Sequence, residues 1–439
     1  MKILYLMSSF WYGLKYLFLL VYVDLFCDVE KVKKIQYRML KKQINYAWTK
    51  IPFYQKLWKE RGFNPEDFKS LADIKKIPFI DKNDVREHFE EMIPIGYPQK
   101  RLTLVTTGGT TGMPMQFYID NYKAWGKEFA FQFFCAWRYF RHKLFFDRVV
   151  ILRGARINEN KLKQGIFWEK SKRDNGLNFS SFHLKNENYK KYLRKIRQYK
   201  PKFIKAYPSS IVAFCSMMKE HDDFEIKGLK GVICSSESIY DWQRNLVRET
   251  LGVEIYSLYG HSEKSVQALQ YLGNKMCFHP LYGYVEFCDI DKNVDVDFGI
   301  AHVVCTSFDN DYFPFIRYKT YDYVDVDKSQ LYFTHVASRI IGREQDFVYD
   351  NKNNKVVFIN SDEPLWGIKG IEAYQYVQNI KGELNLLLQI NNAFNKDDIN
   401  IIQLRLKEIY LYIHINIEFV DIIERTKVGK FRYLIQNIK

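Results

Sequence analysis

Lys230 to Glu263 reads KGVICSSESIYDWQRNLVRETLGVEIYSLYGHSE, and its hydrophobic period changes twice. KGVICSS (230–236) and EIYSLYG (254–260) are short runs rich in β-branched and aromatic residues, the signature of strands. Between them, SIYDWQRNLVRETLG (238–252) sets Trp242, Leu246, Val247 and Leu251 on one helical stripe and ends on Gly252, a suitable helix stop. Strand, helix and strand in this order form an α/β unit, and open α/β sheets bind ligands past the carboxyl ends of their strands. Two polar groups fall there: Ser235-Ser236-Glu237 and Tyr259-Gly260-His261-Ser262-Glu263.

The same alternation extends outward. RVVILRG (148–154), FIKAYPS (203–209) and AHVVCTS (301–307) read as further strands separated by helical stretches. Lys31 to Arg61 carries apolar residues at three- and four-residue spacings and predicts helix. From about Phe347 a tail contains ELNLLLQI (383–390), a helix around Asp397 to Tyr410 and HINIEFV (414–420), which predicts a small βαβ-type unit. Ile341 to Asp346 joins it to the main body. The fold class expected is α/β, with a large N-terminal domain of mixed sheets and helices and a small α+β C-terminal domain.

The 439 residues are 47% hydrophobic and 27% charged, a balance that excludes a disordered chain and supplies more than one core. Seven scattered cysteines, without a CxxC pair, exclude a disulfide framework or zinc ribbon and suit a reducing, cytoplasmic compartment. The formal charge of +15 is dispersed rather than gathered in a block, and no nucleic-acid-binding signature accompanies it, so a solvated basic surface is expected and no nucleic-acid partner. Cys277 and His279, with Cys288 and Cys305 downstream, match no closed tetrahedral zinc motif, and buried free cysteines are the expectation. Ser262 beside His261 does not make a nucleophile and base.

Ile3 to Phe26, ILYLMSSFWYGLKYLFLLVYVDLF, is long enough to span a bilayer but is interrupted by Lys15 and Asp24. A central lysine costs about 2.5–3.5 kcal/mol on insertion scales. No small-residue cleavage site follows the run, so a secretory signal is not expected. A helix (1–30) packed on the protein, or lying in a membrane interface, is preferred to a span.

TTGGTTGMP (106–114) is rich in glycine and threonine, whose backbone N–H groups and hydroxyls suit phosphate oxygens. It is neither a Walker A loop, since Met113-Pro114 stands where Lys-Ser/Thr is required, nor a dinucleotide fingerprint. Composition alone leaves a plain polar turn equally open. The run resembles the phosphate loop of the adenylate-forming (ANL) superfamily, and further motifs follow in that superfamily's order. Tyr259-Gly260-His261-Ser262-Glu263 is similar to its YGxTE motif and Arg317-Tyr318-Lys319-Thr320-Tyr321-Asp322 to its YRTGD motif. Gly342-Arg343-Glu344-Gln345-Asp346 is similar to its hinge, and Glu424-Arg425-Thr426-Lys427-Val428-Gly429-Lys430 to its terminal PRTxxGK motif. IPFYQKLWKERGF (51–63), IKKIPFIDKNDVRE (74–87), YPSSIVAFC (207–215) and GKFR (429–432) resemble the phenylacetate-CoA ligase-like branch, including its capsule-biosynthesis relatives.

That resemblance implies an AMP-binding domain over 1–341, a hinge at 342–346 and a lid domain over 347–439. It implies ATP and Mg²⁺, a small carboxylic acid as substrate, and CoA, an amine or a glycan hydroxyl as acceptor; the cysteines suit the cytoplasm, and the basic charge with the apolar start suits peripheral contact at the inner membrane face. Thr107, Gly108, Gly109, Thr110, Thr111 and Gly112 would hold the β- and γ-phosphates, with Thr110 also acting in catalysis. Glu263 would bind Mg²⁺; Asp322 would accept from the ribose hydroxyls; Tyr259, with Gly260, His261 and Ser262, would flank the nucleotide. Ser236, Glu237 and Ser238 would line the pocket, although a Ser-capped strand-to-helix turn explains them equally well. Lys430 would contact the carboxylate and α-phosphate, and Arg343 would act at the hinge.

Three positions depart from the pattern: Tyr321 replaces the usual glycine before the aspartate, Met115 stands where many relatives carry lysine, and Gln345 replaces an acid. They keep open a second reading, a non-catalytic nucleotide-binding or membrane-associated scaffold on a degenerate ligase fold. The identity of the acid and the oligomeric state are not legible in the sequence.

Overall fold

The computed structural model describes all residues except 1, 98–101, 107–114, 121–122, 172–174, 238, 273–274, 309, 311, 328–334, 344–346, 359–362, 366, 411, 424–430 and 439. The chain forms two compact units, Met1–Asp147 with Tyr256–Ile340, and Arg148–Ile255 with Ile341–Lys439.

In the first unit, helices α1 (Lys2–Phe26), α2 (Val29–Lys50) and α3 (Pro52–Glu60) precede α4 (Lys82–Glu87) and α5 (Lys123–Arg138). Asp28 starts α2 by accepting the Lys31 N–H, and Pro52 begins α3 where its missing N–H costs nothing. The long first helix packs on the protein by one face. Tyr16, Leu20 and Val23 are buried, and α1 lies so close to α5 that a Cβ on Gly13 would sit 2.8 Å from the Gly126 carbonyl oxygen. Only glycine permits that approach.

An antiparallel sheet follows. Its strand order is Val294–Asp295, Gly283–Asp289, Phe298–Ser307, Tyr318–Asp327, His335–Arg343, Lys275–Phe278, Gln267–Leu272 and Ile255–Gly260. Alternate residues such as Ala301, Val303 and Cys305 face a core shared with Leu40, Ile44, Tyr54 and Trp58 of α2 and α3. Arg317 closes this core from within: its buried guanidinium meets Glu286 at 2.8 Å and donates to the carbonyls of Lys75 and Ile77, at 3.1 and 2.8 Å, and to Asn293 Oδ1 at 2.6 Å.

The second unit contains the expected strands Val149–Leu152, Phe203–Ala206 and Gly231–Ser235, which pair in parallel, with Gly176–Phe179 on the other side of the first. Helix α6 (Glu159–Lys163) is short, α7 (Asn186–Tyr199) and α8 (Pro208–Glu220) are the main helices between these strands, and α9 (Asp241–Leu251) follows the last of them. Helix α9 ends on Gly252 at φ 67°, a left-handed cap at the stop read from the sequence. The C-terminal part is also as expected: Glu383–Ile390 and His414–Phe419 are parallel partners bracketing α10 (Asp398–Ile409). Ile371–Gln378 and Leu434–Gln436 complete a four-stranded sheet.

Candidate active site

In the first unit the YGHSE and RYKTYD segments meet. Strand Ile255–Gly260 delivers Tyr259 at its carboxyl end, and His261 lies just beyond. Strand Tyr318–Asp327 is irregular where Asp322 stands: His302 pairs with Tyr323, but Val304 pairs with Lys319, so Thr320, Tyr321 and Asp322 face the single residue Val303. This bulge turns the backbone and re-aims side chains. Thr320 fixes it by donating from Oγ1 to the Val303 carbonyl at 2.7 Å and accepting the Asp322 N–H at 3.1 Å. Tyr321 takes φ 60°, the conformation that suits the glycine expected there, and its hydroxyl is held 2.8 Å from Asp81 Oδ2 at the start of α4.

The bulge presents Asp322 to two donors. Tyr259 Oη lies 2.7 Å and His261 Nε2 2.6 Å from Asp322 Oδ2, with the His261 and Asp322 side chains almost wholly buried. Contact with a carboxylate assigns the proton to Nε2 of His261. The Tyr259 ring packs edge-on to His261 at 5.0 Å and near Phe278 at 5.7 Å. Gly260 is constrained by close packing, since a Cβ there would lie 2.5 Å from Gln267 Nε2.

Glu263 is buried, and Tyr318 Oη lies 3.4 Å from its Oε1. Burial and then the Glu263 charge hold the Tyr318 phenol well above its ordinary pKa, so it remains a donor. Met115 Sδ lies 3.9 Å from the same hydroxyl: the residue at the usual lysine position is a buried thioether beside the carboxylate. Lys264, at φ 56°, follows Glu263 and reaches Glu128 at 2.8 Å, where Tyr282 Oη also donates at 2.7 Å. A single buried carboxylate suits Mg²⁺ completed by phosphate and water oxygens. Among the described residues no group of three or more His, Cys, Asp or Glu side chains gathers as a metal site.

In the second unit, Ser236 and Glu237 follow the parallel strand Gly231–Ser235, with Ser236 at φ 75°. Glu237 accepts from the backbone N–H and hydroxyl of Ser209 at 2.9 and 3.1 Å, and from the Phe431 N–H at 3.0 Å. Tyr433 adds two contacts: its hydroxyl accepts from Gln243 Nε2 at 3.2 Å and its ring meets Tyr240 edge-on at 5.7 Å. The C-terminal segment just after Lys430 is thereby seated on the strand-end turn.

Several expected positions lie outside the described residues: Thr107, Gly108, Gly109, Thr110, Thr111 and Gly112, Ser238, Gln345 and Lys430. The strands flanking the glycine run pair antiparallel, with Thr106 opposite Gln116. Arg343 ends strand His335–Arg343, its side chain outside the described set. Ser262 is exposed. Sequence reasoning missed Asp81, Gln243 and Tyr433, because the partners meet across 240 positions for Asp81 with Tyr321 and 190 for Gln243 with Tyr433.

This architecture defines a class: the fold is that of the adenylate-forming ligases. A 2-hydroxyisobutyryl-CoA ligase in the postadenylation state, in complex with 2-HIB-AMP, superposes with a TM-score of 0.71 at 20% identity, covering 93% of this chain and 90% of that one. A complex of the same ligase with R3-HIB-AMP gives 0.70 at 18% identity. No family model matches the chain. Among curated proteins it is 25% identical to Protein CapK of Staphylococcus aureus over 92% of this chain and 89% of that one. It is 22% identical to the phenylacetate-coenzyme A ligase of Pseudomonas putida over 73% and 72% of the two chains. The chain is thus similar in sequence to CapK and phenylacetate-coenzyme A ligase proteins and shares the fold of the adenylate-forming ligases.

Proposed function

We propose that the protein is an AMP-forming acid ligase. The observation that carries this reading is the Tyr259–His261–Asp322 cluster, formed by a bulge at the motif position for ribose recognition in a chain whose fold matches that of a CoA ligase over nearly its whole length. In the first step a substrate carboxylate oxygen attacks the α-phosphorus of ATP. The bond to the bridging oxygen breaks, pyrophosphate leaves with the electron pair, and an acyl-adenylate forms. In the second, a thiol, amine or hydroxyl attacks the acyl carbon and AMP leaves.

Asp322, an acceptor-only carboxylate oriented by Tyr259 and His261, takes the two ribose hydroxyls. Glu263 would hold Mg²⁺, which would supply charge neutralisation on the phosphates. Thr107 to Gly112 donate to the β- and γ-phosphates, and Lys430 offsets charge on the carboxylate and α-phosphate. Ser236, Glu237 and Ser238 are further candidates for the nucleotide by their motif resemblance, and Glu237 also anchors the peptide that follows Lys430. By the motif resemblance the nucleotide-binding part is 1–341 and the lid 347–439, a division that differs from the two compact units described above, with Arg343 at a hinge over 342–346 that changes conformation between the half-reactions.

CoA is one acceptor; an amine or the hydroxyl of a surface-polysaccharide precursor is the other option, and the reaction takes place in the cytoplasm. Pyrophosphate release across a panel of acids, with and without CoA, separates these options: turnover without CoA points to the amine or hydroxyl. Titration with Mg-ATP tests the class itself. Absence of binding would leave a scaffold on a ligase fold.

A further inference from the structure

One face of the first unit is apolar where a water-facing helix should be polar. Helix α1 exposes Met7, Trp11, Phe18, Tyr22 and Phe26 at three- and four-residue spacing, with Lys15 as the charged member of the stripe. Phe18 is 68% exposed. The opposite face, with Gly13, Tyr16, Leu20 and Val23, is buried. Tyr16 Oη donates to the Leu281 carbonyl at 3.0 Å, so the helix is held on the protein by its inner side.

The aromatic surface continues onto α5. Gly13 abuts Gly126, and Arg138 Nε lies 2.6 Å from Asp24 Oδ2; contacts eleven residues apart in α1 and twelve in α5 show that the helices run parallel, side by side. Helix α5 exposes Trp125, Phe129 and Trp137. The turn after it adds Phe145, whose ring lies 5.9 Å from that of Phe129, and Phe146, 80% exposed. Asp147 turns inward, contacting His142 Nδ1 at 3.2 Å and accepting the Lys143 N–H at 2.8 Å.

Positive charge accompanies this surface. Arg141 and Lys143 are exposed beside the Phe145–Phe146 tip, and Lys31 reaches the Phe26 carbonyl at 3.3 Å, with Lys34 exposed nearby and Lys33 paired with the exposed Glu30 at 2.9 Å. The acids of α1 and α5 are engaged: Asp24 with Arg138, and Glu128 with Lys264. Exposed tryptophan, tyrosine and phenylalanine ringed by lysine and arginine are the composition of a membrane-interface surface, and the basic residues complement anionic headgroups.

We propose that α1, α5 and the Phe145–Phe146 turn form a docking surface for an anionic lipid bilayer, lying in the interface without spanning it. The Gly13–Gly126 packing keeps α1 on α5, and the outer rings enter the headgroup region. The proposal stands independently of the ligase reading, because none of these side chains belongs to the site.

The test is co-sedimentation of the full chain with phosphatidylcholine vesicles, with and without phosphatidylglycerol, at low and high salt. Binding is expected with phosphatidylglycerol, weakened by salt and removed by alkaline carbonate. Phe18→Glu and Phe146→Ser should each lower partitioning by about tenfold or more, the scale of one large apolar contact. Phe146, at an exposed tip, should leave the melting temperature unchanged, which separates docking from misfolding. Adenylation measured without vesicles should be unaffected. Failure to pellet with any vesicle, wild-type partitioning in both variants, or retention after carbonate would overturn the proposal. So would a stable dimer by light scattering, dispersed by Phe18→Glu, without vesicle binding.

Discussion

Asp322 shows how much of the site rests on individual side chains. Its carboxylate is the common acceptor for Tyr259 and His261, so Asp322→Ala strips a partner from two donors at a buried position. A loss of about 1–3 kcal/mol in urea unfolding is expected, with ATP affinity by calorimetry falling at least about tenfold. His279 gives a pH signature. Its Nδ1 accepts the Leu281 N–H at 3.3 Å, and burial, followed by the Lys127 charge, pushes its pKa down to about 3. The unfolded imidazole titrates near 6.5, so the unfolded state binds the extra proton between these values. Stability from this residue is therefore fully present above about pH 6.5 and is lost at up to about 1.4 kcal/mol per pH unit as pH falls toward 3. His279→Gln should flatten that part of the profile of melting temperature against pH; an unchanged slope contradicts the assignment. The motifs singled out Asp322 and Glu263 as candidates from the sequence. The Arg317–Glu286 pair was not, because a lone glutamate in a strand carries no sign that it will be buried against an arginine 31 positions away.

At the scale of elements, the strongest constraint is the crossing of α1 and α5. A Cβ on Gly126 would fall on the Ser9 carbonyl oxygen, and one on Gly13 would press on the Gly126 carbonyl. Gly126→Val should cost about 1–3 kcal/mol by overpacking, read as a lower denaturant midpoint. The helices and parallel strands were legible because their periods are clear: α9 runs from Asp241 to Leu251, inside the stretch read as helix. Strand Ile371–Gln378 shows why others were not. Gln375 and Gln378 are buried in it, their amides satisfied by backbone partners, including Gln378 with the carbonyls of Tyr349 at 2.9 Å and Glu383 at 3.1 Å. Hydropathy places such residues at the surface, and the hydrogen bonds that let them be buried arise only in the tertiary structure. The bulge at Thr320–Asp322 was hidden for a related reason: a tyrosine at φ 60° carries no local signal of the turn that a glycine would have announced.

For the whole molecule, charge management ties composition to function. A basic chain of formal charge +15 suits a polyanionic nucleotide and an anionic surface, while its dispersed lysines leave specificity to the site. Glu237 links the C-terminal segment to the parallel sheet through Phe431, so Glu237→Ala should lower the rate of adenylation more than it weakens ATP binding, a split that steady-state kinetics can read. The most direct measurement of the central claim is acid-dependent release of pyrophosphate from Mg-ATP by the wild-type chain and by Lys430→Ala. The account predicts release that requires a carboxylic acid and falls by about 10²-fold or more in the variant, the scale of one oriented cation at a charge-developing step. Pyrophosphate release equal in the two proteins, or no release with any acid despite bound ATP, would contradict it.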